Sequence, residues 1–533
     1  MKKTIYILGS LISLFSTDIY SAIKVERNIS KIYLNLDKQI IPLPLKGLIR
    51  EVIKRNATLL YSRMQLKTSG FKTAYEKHIF IPEYMAKLNH HETKVPNNTG
   101  QTLSRGGLTT QHEDQWSFKT GIGGLMVSGA NWDIEYLQSG NRSSLIDSIR
   151  NYETEYESQV KFTLRQPLLK GYGSNIVLAN FNKAKLDEEV ARQNYEKTTM
   201  DLIAYTIREY WKLNGAQNLA ESLKKSVKLL QESERFLKIK VESGEIAKSH
   251  FLEAKNTRMS REVELAAILN SKSKSKFTLL KLLNVDLSTK SDYQFSTNVS
   301  IENQENNVQL SMIEAFSQMR KVLPQFKIAE AKYKKSKIEL DKKRNEAKAN
   351  LDIIASTWLS NLADGAISKE AFQDDYISWK IGLEYSVPLS PKRERNSMAI
   401  AEQNLIQAEA ELKYLERNVM LDLKILLNTM KGSSHQLKIM NSAFAIKEKL
   451  LEGEVKKFKF GQVDIRDLIK KEEEVSLYKR KIVNQFISNK INKVNYDKFM
   501  GLMMPIYFPD YENFSKTIDL TNIPSKIYYE TFQ

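Results

Sequence analysis

Two kinds of periodicity divide this chain. Ile377, Trp379, Ile381, Leu383, Tyr385 and Val387 alternate with Ser378, Lys380, Gly382, Glu384 and Ser386. A period of two gives a strand one apolar and one polar face. Val160, Phe162 and Leu164 alternate with Lys161, Thr163 and Arg165 in the same way. Segment 350–360 (Leu351, Ile353, Ala355, Leu359) is the expected partner of the first strand, and 78–90 (Phe80, Tyr84, Leu88) of the second. The pattern therefore predicts strands at about 78–90, 157–166, 350–360 and 376–387. A further hairpin is predicted at about 115–137, where Trp116, Phe118 and Ile122, then Ala130, Trp132, Ile134 and Tyr136, flank a glycine-rich turn at Gly121–Gly129. Its place in the fold is left open by the sequence.

The second periodicity is helical. No proline occurs between Pro167 and Pro324, or between Pro391 and Pro505, and both gaps are rich in Ala, Glu, Lys and Leu. Leu405, Ala408, Leu412, Leu415 and Val419 recur at steps of three and four, and Leu223, Val227, Leu230 and Leu237 do much the same, which is heptad spacing. Long helices are expected at about 174–241 and 393–457, each about 100 Å at 1.5 Å per residue. Each stops at a matching glycine turn, around Gly244 and Gly461, after which helical spacing resumes in returning helices at about 247–283 and 464–500. Shorter helices precede the strands at about 45–76 and 309–349. The order helix, strand, strand, long helix, glycine turn, returning helix thus occurs twice. The expected organisation is an extended segment at 23–44, a first repeat at 45–283, a polar Asn-rich linker at 284–308, a second repeat at 309–502 and a tail at 503–533.

Residues 1–22 carry Lys2 and Lys3, an apolar run from Ile5 to Phe15, and small or polar residues up to Ala22. This is the make-up of a secretory signal peptide, the alternative being a buried N-terminal helix. Tyr20 fits poorly two positions before Ala22, so the cleavage position stays open. No later run is apolar and long enough for a membrane helix. There are no cysteines, which excludes disulfides, thiolate metal sites and a lipid-anchored N-terminal Cys. The formal charge of +18 is spread along the chain among Glu and Asp, as on solvated helix faces, rather than gathered into a nucleic-acid stripe.

In hydrocarbon every backbone polar group needs a partner, so an open sheet cannot span a membrane. Four strands cannot close a barrel, whereas three copies give twelve, within the range of outer-membrane barrels. The same threefold sharing turns a few long helices per copy into a hollow cylinder. The expected fold class is α+β and mostly α, with a helical coiled-coil barrel continuing a transmembrane β-barrel completed by a homotrimer. A soluble coiled-coil protein with a small β-domain would also alternate.

Three stretches resemble motifs of the outer-membrane efflux protein family (TolC type). Arg165-Gln-Pro-Leu-Leu-Lys-Gly-Tyr-Gly173, at the strand-to-helix junction, is similar to an element of one branch, so Gln166, Pro167, Leu168, Leu169, Gly171 and Gly173 are junction residues, with Pro388 at the second junction. Gly121-Ile-Gly-Gly-Leu-Met-Val-Ser-Gly129 before Trp132 resembles that branch's glycine-rich hairpin. The turns at Gly244 and Gly461 are similar to the family's periplasmic tips, where an acidic residue and an apolar pair follow the glycine. Asp467-Leu468-Ile469 fits, while His250-Phe251-Leu252 departs by placing a histidine where the acid stands. The resemblance covers about residues 40–500. It implies a homotrimer in the outer membrane of a Gram-negative bacterium, with helices extending into the periplasm to meet an adaptor protein and an inner-membrane transporter. It further implies that Gly244, Glu245, Ile246, Gly461, Gln462, Val463, Asp467 and Leu468 are adaptor-docking residues. The duct would be passive, serving efflux of small toxic compounds or, alternatively, type I protein secretion. Lys456, Lys457, Lys459, Arg466, Lys470 and Lys471 make the second tip basic, which anticipates an acidic adaptor tip or an anion-tolerant entrance.

Enzymatic chemistry finds little footing. Six histidines are scattered, with His90-His91 the only pair, and none has helical metal-ligand spacing. There is no phosphate-binding Gly-x-x-x-x-Gly-Lys loop, and Gly121-Ile-Gly-Gly opens no helix in a βαβ unit. No cofactor, metal site, catalytic constellation or nucleic acid is expected. A basic coiled-coil scaffold is the remote alternative, supported by charge alone.

Overall fold

The computed structural model describes residues 45–144, 146, 153–285, 312–363 and 377–509. The expected signal peptide, the extended segment 23–44, all but the first two residues of the linker and the tail from 510 lie outside the described residues. The elements run α1 (Leu45–Arg55), α2 (Ala57–Lys77), β1 (Glu83–Pro96), β2 (Thr110–Leu125), β3 (Asn131–Ser143), β4 (Glu155–Pro167), α3 (Ala179–Glu242), α4 (Lys248–Leu282), α5 (Met312–Val322), α6 (Pro324–Glu346), β5 (Asn350–Ala363), β6 (Ile377–Ser386), α7 (Lys392–Lys459) and α8 (Ile465–Phe499). One-turn helices occupy Thr99–Ser104, Ser174–Val177 and Met503–Tyr507. The fold is mostly helical, with one antiparallel sheet, and its element order repeats from α5. Among the described residues no helix is long and apolar enough to cross a membrane.

Several expected elements are divided. The helix expected at 45–76 breaks at Asn56, whose Oδ1 accepts the N–H groups of Thr58 (3.0 Å) and Leu59 (3.3 Å). That is the bonding of a helix N-cap. Its Nδ2 donates to the Leu282 carbonyl at 3.1 Å, anchoring the break to α4. The helix expected at 309–349 breaks before Pro324, which lacks an N–H and so suits the first position of α6. The long helix expected from 174 starts at Ala179, after the one-turn helix.

By contact, the chain divides into two compact units, one made of Thr68–Val190 and Ile328–Lys413, the other of the chain up to Lys67, Ala191–Lys327 and Tyr414 onward. Among the described residues, the first unit holds all six strands in a single meander, β1-β2-β3-β4-β5-β6, each pair antiparallel. Four strands were expected, and the difference lies in the 115–137 hairpin. It is not an appendage but two full strands, β2 and β3, inserted between β1 and β4. The expected pairing of segment 78–90 with 157–166 therefore does not occur. Residues His78–Phe80 form a short 3-10 turn, so β1 starts later than expected, at Glu83. Beside the sheet, Lys183 meets Glu339 at 2.6 Å and Lys335 meets Asp187 at 2.7 Å, joining the start of α3 to α6.

The second unit is helical. Leu48, Ile49, Val52 and Ile53 form one face of α1 and pack with Ile203, Ile207 and Leu213 of α3, Leu279 and Leu280 of α4, and Met503, Met504 and Phe508. Along α3 the heptad residues Leu223, Val227, Leu230 and Leu237 are all buried. An ion pair is buried with them. Arg261 of α4 donates through Nε and Nη2 to Glu472 of α8 at 3.1 and 3.0 Å, with side chains only 8% and 3% exposed. Ser226 of α3 donates to the same carboxylate, so three helices share one buried charge centre. Removing one partner strands the other charge, which costs about 3–5 kcal/mol. Glu472→Ala should therefore lower the thermal unfolding midpoint of the detergent-solubilised protein markedly, measured by circular dichroism. Replacing both partners (Arg261→Met with Glu472→Leu) should recover most of the loss.

Candidate channel wall and helical tips

Register decides what the sheet can do. Tyr84, Ile122, Ile134, Phe162, Thr357 and Trp379 lie opposite one another in one row across β1 to β6. Gly124, Trp132, Leu164, Ala355 and Ile381 form the next row toward the helical elements, and Ala86, Thr120, Tyr136, Val160, Leu359 and Ile377 the next away from them. All point to one face, because side chains two residues apart share a face. The opposite face carries rows such as Gly123, Asp133, Thr163, Ser356 and Lys380. On it Lys119 pairs with Glu135 at 2.7 Å, and Arg165 bridges Asp352 (3.0 Å) and Glu384 (2.9 Å). Met85, Ile354 and Trp358 interrupt this polar face without changing its character.

The apolar face is a belt with two ends. It runs from the Leu383 row past Trp379, and along β2 from Ile122 to Trp116. That is about ten residues, about 33 Å of strand, or about 25 Å of height at a tilt of about 40°. Beyond Trp116 the same face turns ionic, with Glu92 and His112 at 3.0 Å and His90 and Asp114 at 3.5 Å. Trp116 and Tyr156 meet edge-on at this boundary, 6.2 Å between centroids. Aromatic residues at the rim of an apolar band are the pattern of membrane interfaces. The connections differ by end: 97–109, 144–154 and 364–376 at one, and the short turn 126–130 at the other.

Two of the segments singled out in the sequence meet at the junction of sheet and helix. Ser128 of the glycine-rich hairpin donates through Oγ to Gln166 Oε1 at 3.0 Å, and its carbonyl accepts the Gly173 N–H at 3.1 Å. Gly129, at φ 94°, lies so close to the Gly171 carbonyl and Pro167 that a Cβ has no room. Leu168 N–H bonds the Leu351 carbonyl at 2.8 Å, extending the ladder past Pro167. Pro388 follows β6 and is exposed. A residue the sequence did not point to completes the arrangement. Asn345, buried at 5% exposure, accepts the Gly171 N–H (2.7 Å) and donates to the Leu169 carbonyl (3.1 Å).

The glycine turns are two copies of one device. Gly244 N–H bonds Val241 O (3.1 Å) and Glu245 N–H bonds Lys240 O (2.9 Å), while Gly461 and Gln462 repeat this to Phe458 and Lys457 (3.0 Å each). These are Schellman caps, which need a residue at positive φ, here 77° and 71°. The two turns lie together over a shared apolar cluster of Leu237, Ala254, Phe458, Ile465 and Leu468, with Phe236 and Phe458 edge-on at 5.6 Å. Of the sequence-designated tip residues, Gly244, Glu245, Gly461, Gln462 and Asp467 are exposed, Ile246 and Val463 are half-buried, and Leu468 is fully buried beneath them. Leu468 supports the tip rather than forming its surface. Arg466 donates to Glu253 through two 2.8 Å bonds. Those bonds hold the Glu253 carboxyl below its ordinary range. His250, standing where the family pattern has an acid, lies 3.3 Å from Asp464, the N-cap of α8. With Arg466, Lys457 and Lys471 all near carboxylates, the second tip is less free in charge than its sequence implies.

A second apolar stripe on α7 is left open. Tyr414, Leu421, Ile425, Ile439, Ile446 and Leu450 follow heptad spacing and are 51–67% exposed. On α4, Leu252, Met259 and Val263 repeat steps of seven and four, also exposed. Stripes of this spacing are coiled-coil seams. Among the described residues no group of His, Cys, Asp or Glu could hold a metal ion. The junction offers the sharpest test of these local contacts. Asn345→Ala leaves the Gly171 N–H and Leu169 carbonyl unpaired and should cost about 1–3 kcal/mol, read as a lower unfolding midpoint. Asn345→Asp, which sets a carboxylate oxygen against the Leu169 carbonyl, should lose at least as much.

No protein-family model and no curated protein sequence matches the chain. Solved structures do. The chain is similar to the Campylobacter jejuni CmeC outer membrane channel, with a TM-score of 0.65, 13% identity and coverage of 90% of each chain. It is similar to the open state of the Neisseria gonorrhoeae MtrE outer membrane channel (TM-score 0.60, 13% identity, 90% of this chain and 95% of that one). It also resembles the outer membrane protein VceC of Vibrio cholerae (TM-score 0.59, 13% identity, 86% and 96%). Identity this low carries backbone architecture and not chemistry. On that architecture, the chain has the fold of the TolC-type outer-membrane channels.

Proposed function

We propose that this chain is one subunit of a homotrimeric outer-membrane channel that gives substrates a passive way out of a Gram-negative cell. The observation that carries the reading is the register of the sheet, which gathers apolar side chains on one face and ionic pairs on the other over about 25 Å. Lipid meets the first face and water the second. Long connections at the end away from the helices and a short turn at the other follow the outer-membrane convention of long external loops and short periplasmic turns.

In this reading residues 1–22 direct export, and the helices run into the periplasm. The exposed seams on α7 and α4 belong against the helices of neighbouring copies. The tips, through Gly244, Glu245, Gly461 and Gln462, with Ile246, Val463 and Asp467 beside them, meet a periplasmic adaptor. The adaptor connects the channel to an inner-membrane transporter, which supplies the energy and chooses the cargo. Efflux of small toxic compounds is the assigned task. Such a protein is a conduit and performs no chemistry on what it carries.

The trimer is tested at the open seam. A charged side chain in a coiled-coil seam disrupts association because it must be desolvated without a partner. Ile439→Asp combined with Ile446→Asp should shift the detergent-purified protein from trimer to monomer by light scattering and remove single-channel conductance in planar bilayers. An unmodified protein that is monomeric and non-conducting would overturn the proposal.

A further inference from the structure

The apolar alternation of β6 does not stop where the strand ends. Leu383 and Tyr385 are followed at the same spacing by Val387 and Leu389, and Leu389 is fully exposed. The chain then passes Pro391, and α7 begins with Lys392, Arg393, Glu394 and Arg395. The three cations are exposed, and among the described residues none of their side chains makes an ion pair or hydrogen bond. Glu394 is half-buried, with one carboxylate oxygen shielded from solvent, and so offsets little of the charge at the surface. Lys348, also exposed, stands two residues before Asn350, the register partner of Ser386, and adds a fourth cation beside the same strand ends. Cations are unfavourable in the first turn of a helix, where the macrodipole is positive and the leading N–H groups lack partners. A leucine in water is unfavourable as well. Both penalties are relieved by one kind of neighbour, an anion joined to an apolar body.

We propose that this collar binds phospholipids of net negative charge in the leaflet on the helical side of the sheet, with the phosphodiester at Lys392, Arg393 and Arg395 and the acyl chains beside Val387 and Leu389. The inference rests on the channel reading and goes beyond it by naming a lipid class and its contacts. Two observations choose the occupant. The first is continuity, since Val387 and Leu389 extend the apolar face of β6 without a break. Tyr385 lies between them and the belt, 64% exposed, where an aromatic ring suits the boundary of hydrocarbon and headgroup. The second is charge. A zwitterionic headgroup brings its own cation and leaves the collar unneutralised, whereas a headgroup with a phosphodiester and no amine answers it. Lys and Arg side chains lay their stems along apolar surface while the charged ends reach the headgroup layer. Basic segments beside a membrane-spanning element attract anionic lipid in this way.

The test uses the full chain reconstituted in phosphatidylcholine vesicles that contain a minority of phosphatidylglycerol. The protein is extracted gently, and the lipid that stays bound is identified by native mass spectrometry. Phosphatidylglycerol should be enriched about tenfold over its share of the vesicle, and the enrichment should fall as salt is raised. Lys392→Gln combined with Arg393→Gln and Arg395→Gln should abolish the enrichment and still conduct in planar bilayers, which separates loss of lipid from loss of fold. The charge-keeping set Lys392→Arg, Arg393→Lys and Arg395→Lys should retain it. Equal retention of the two lipids by the unmodified protein would overturn the inference, as when a protein face covers the collar instead. So would enrichment that survives removal of the three charges, or displacement of phosphatidylglycerol by inorganic phosphate, the mark of a site for a free anion. An unmodified protein that conducts without any lipid preference loses this inference and keeps the channel reading. One that neither trimerises nor conducts removes the channel reading itself.

Discussion

A backbone N–H or C=O without a partner in hydrocarbon costs several kcal/mol, and this constraint shapes everything else in the molecule. The sheet satisfies it along five ladders and leaves two edges over. Its register has already committed one face to apolar surroundings, so the edges cannot be left to water without exposing Trp379, Ile381 and Leu383 as well. Sharing the edges among copies resolves both demands at once. In the proposed channel, lipid exposure, polar lining and assembly are then three aspects of a single geometric requirement.

The helical part answers a different demand, that of length without a thick core. α7 has 68 residues, about 100 Å of helix, and no globular core is that long. Stability has to come from seams repeated along the axis. One seam is satisfied within the chain, through Leu223, Val227 and Leu230 and the charge centre at Arg261 and Glu472. The other, on the outer side of α7, is open in the single chain. The tips close the arrangement with two identical Schellman caps over one apolar cluster, so the ends of both repeats are held as one body rather than as independent hairpins.

Much of this was legible in the sequence where a pattern is local. The alternation from Ile377 to Val387 marked β6, and heptad steps with glycine stops marked the long helices to within a few residues. What failed was also local in origin. Gly121, Gly123 and Gly124 suggested a turn, whereas they lie inside β2 and the turn is Met126–Ala130. The first part of β2, Thr-Gln-His-Glu-Asp-Gln from Thr110, has no alternation because it lies at or beyond the edge of the belt. Six strands therefore read as four and a spare hairpin. Asn345 was invisible for another reason. Its partners, Gly171 and Leu169, lie 174 and 176 residues away and are backbone groups, which leave no residue-type signature. Leu468 belonged to a motif, but only the packing of both tips shows that it faces inward.

The central claim is that one face of the sheet meets lipid and the other water, and the tryptophans report on it directly. Trp379 lies on the apolar face and Trp358 on the polar one. In proteoliposomes, variants retaining one of the five tryptophans at a time can be quenched with brominated acyl chains or with aqueous iodide. The account predicts that the Trp379 protein is quenched by brominated lipid and shielded from iodide, and that the Trp358 protein behaves in the opposite way. Quenching of both by iodide, with no effect of brominated lipid, would contradict it.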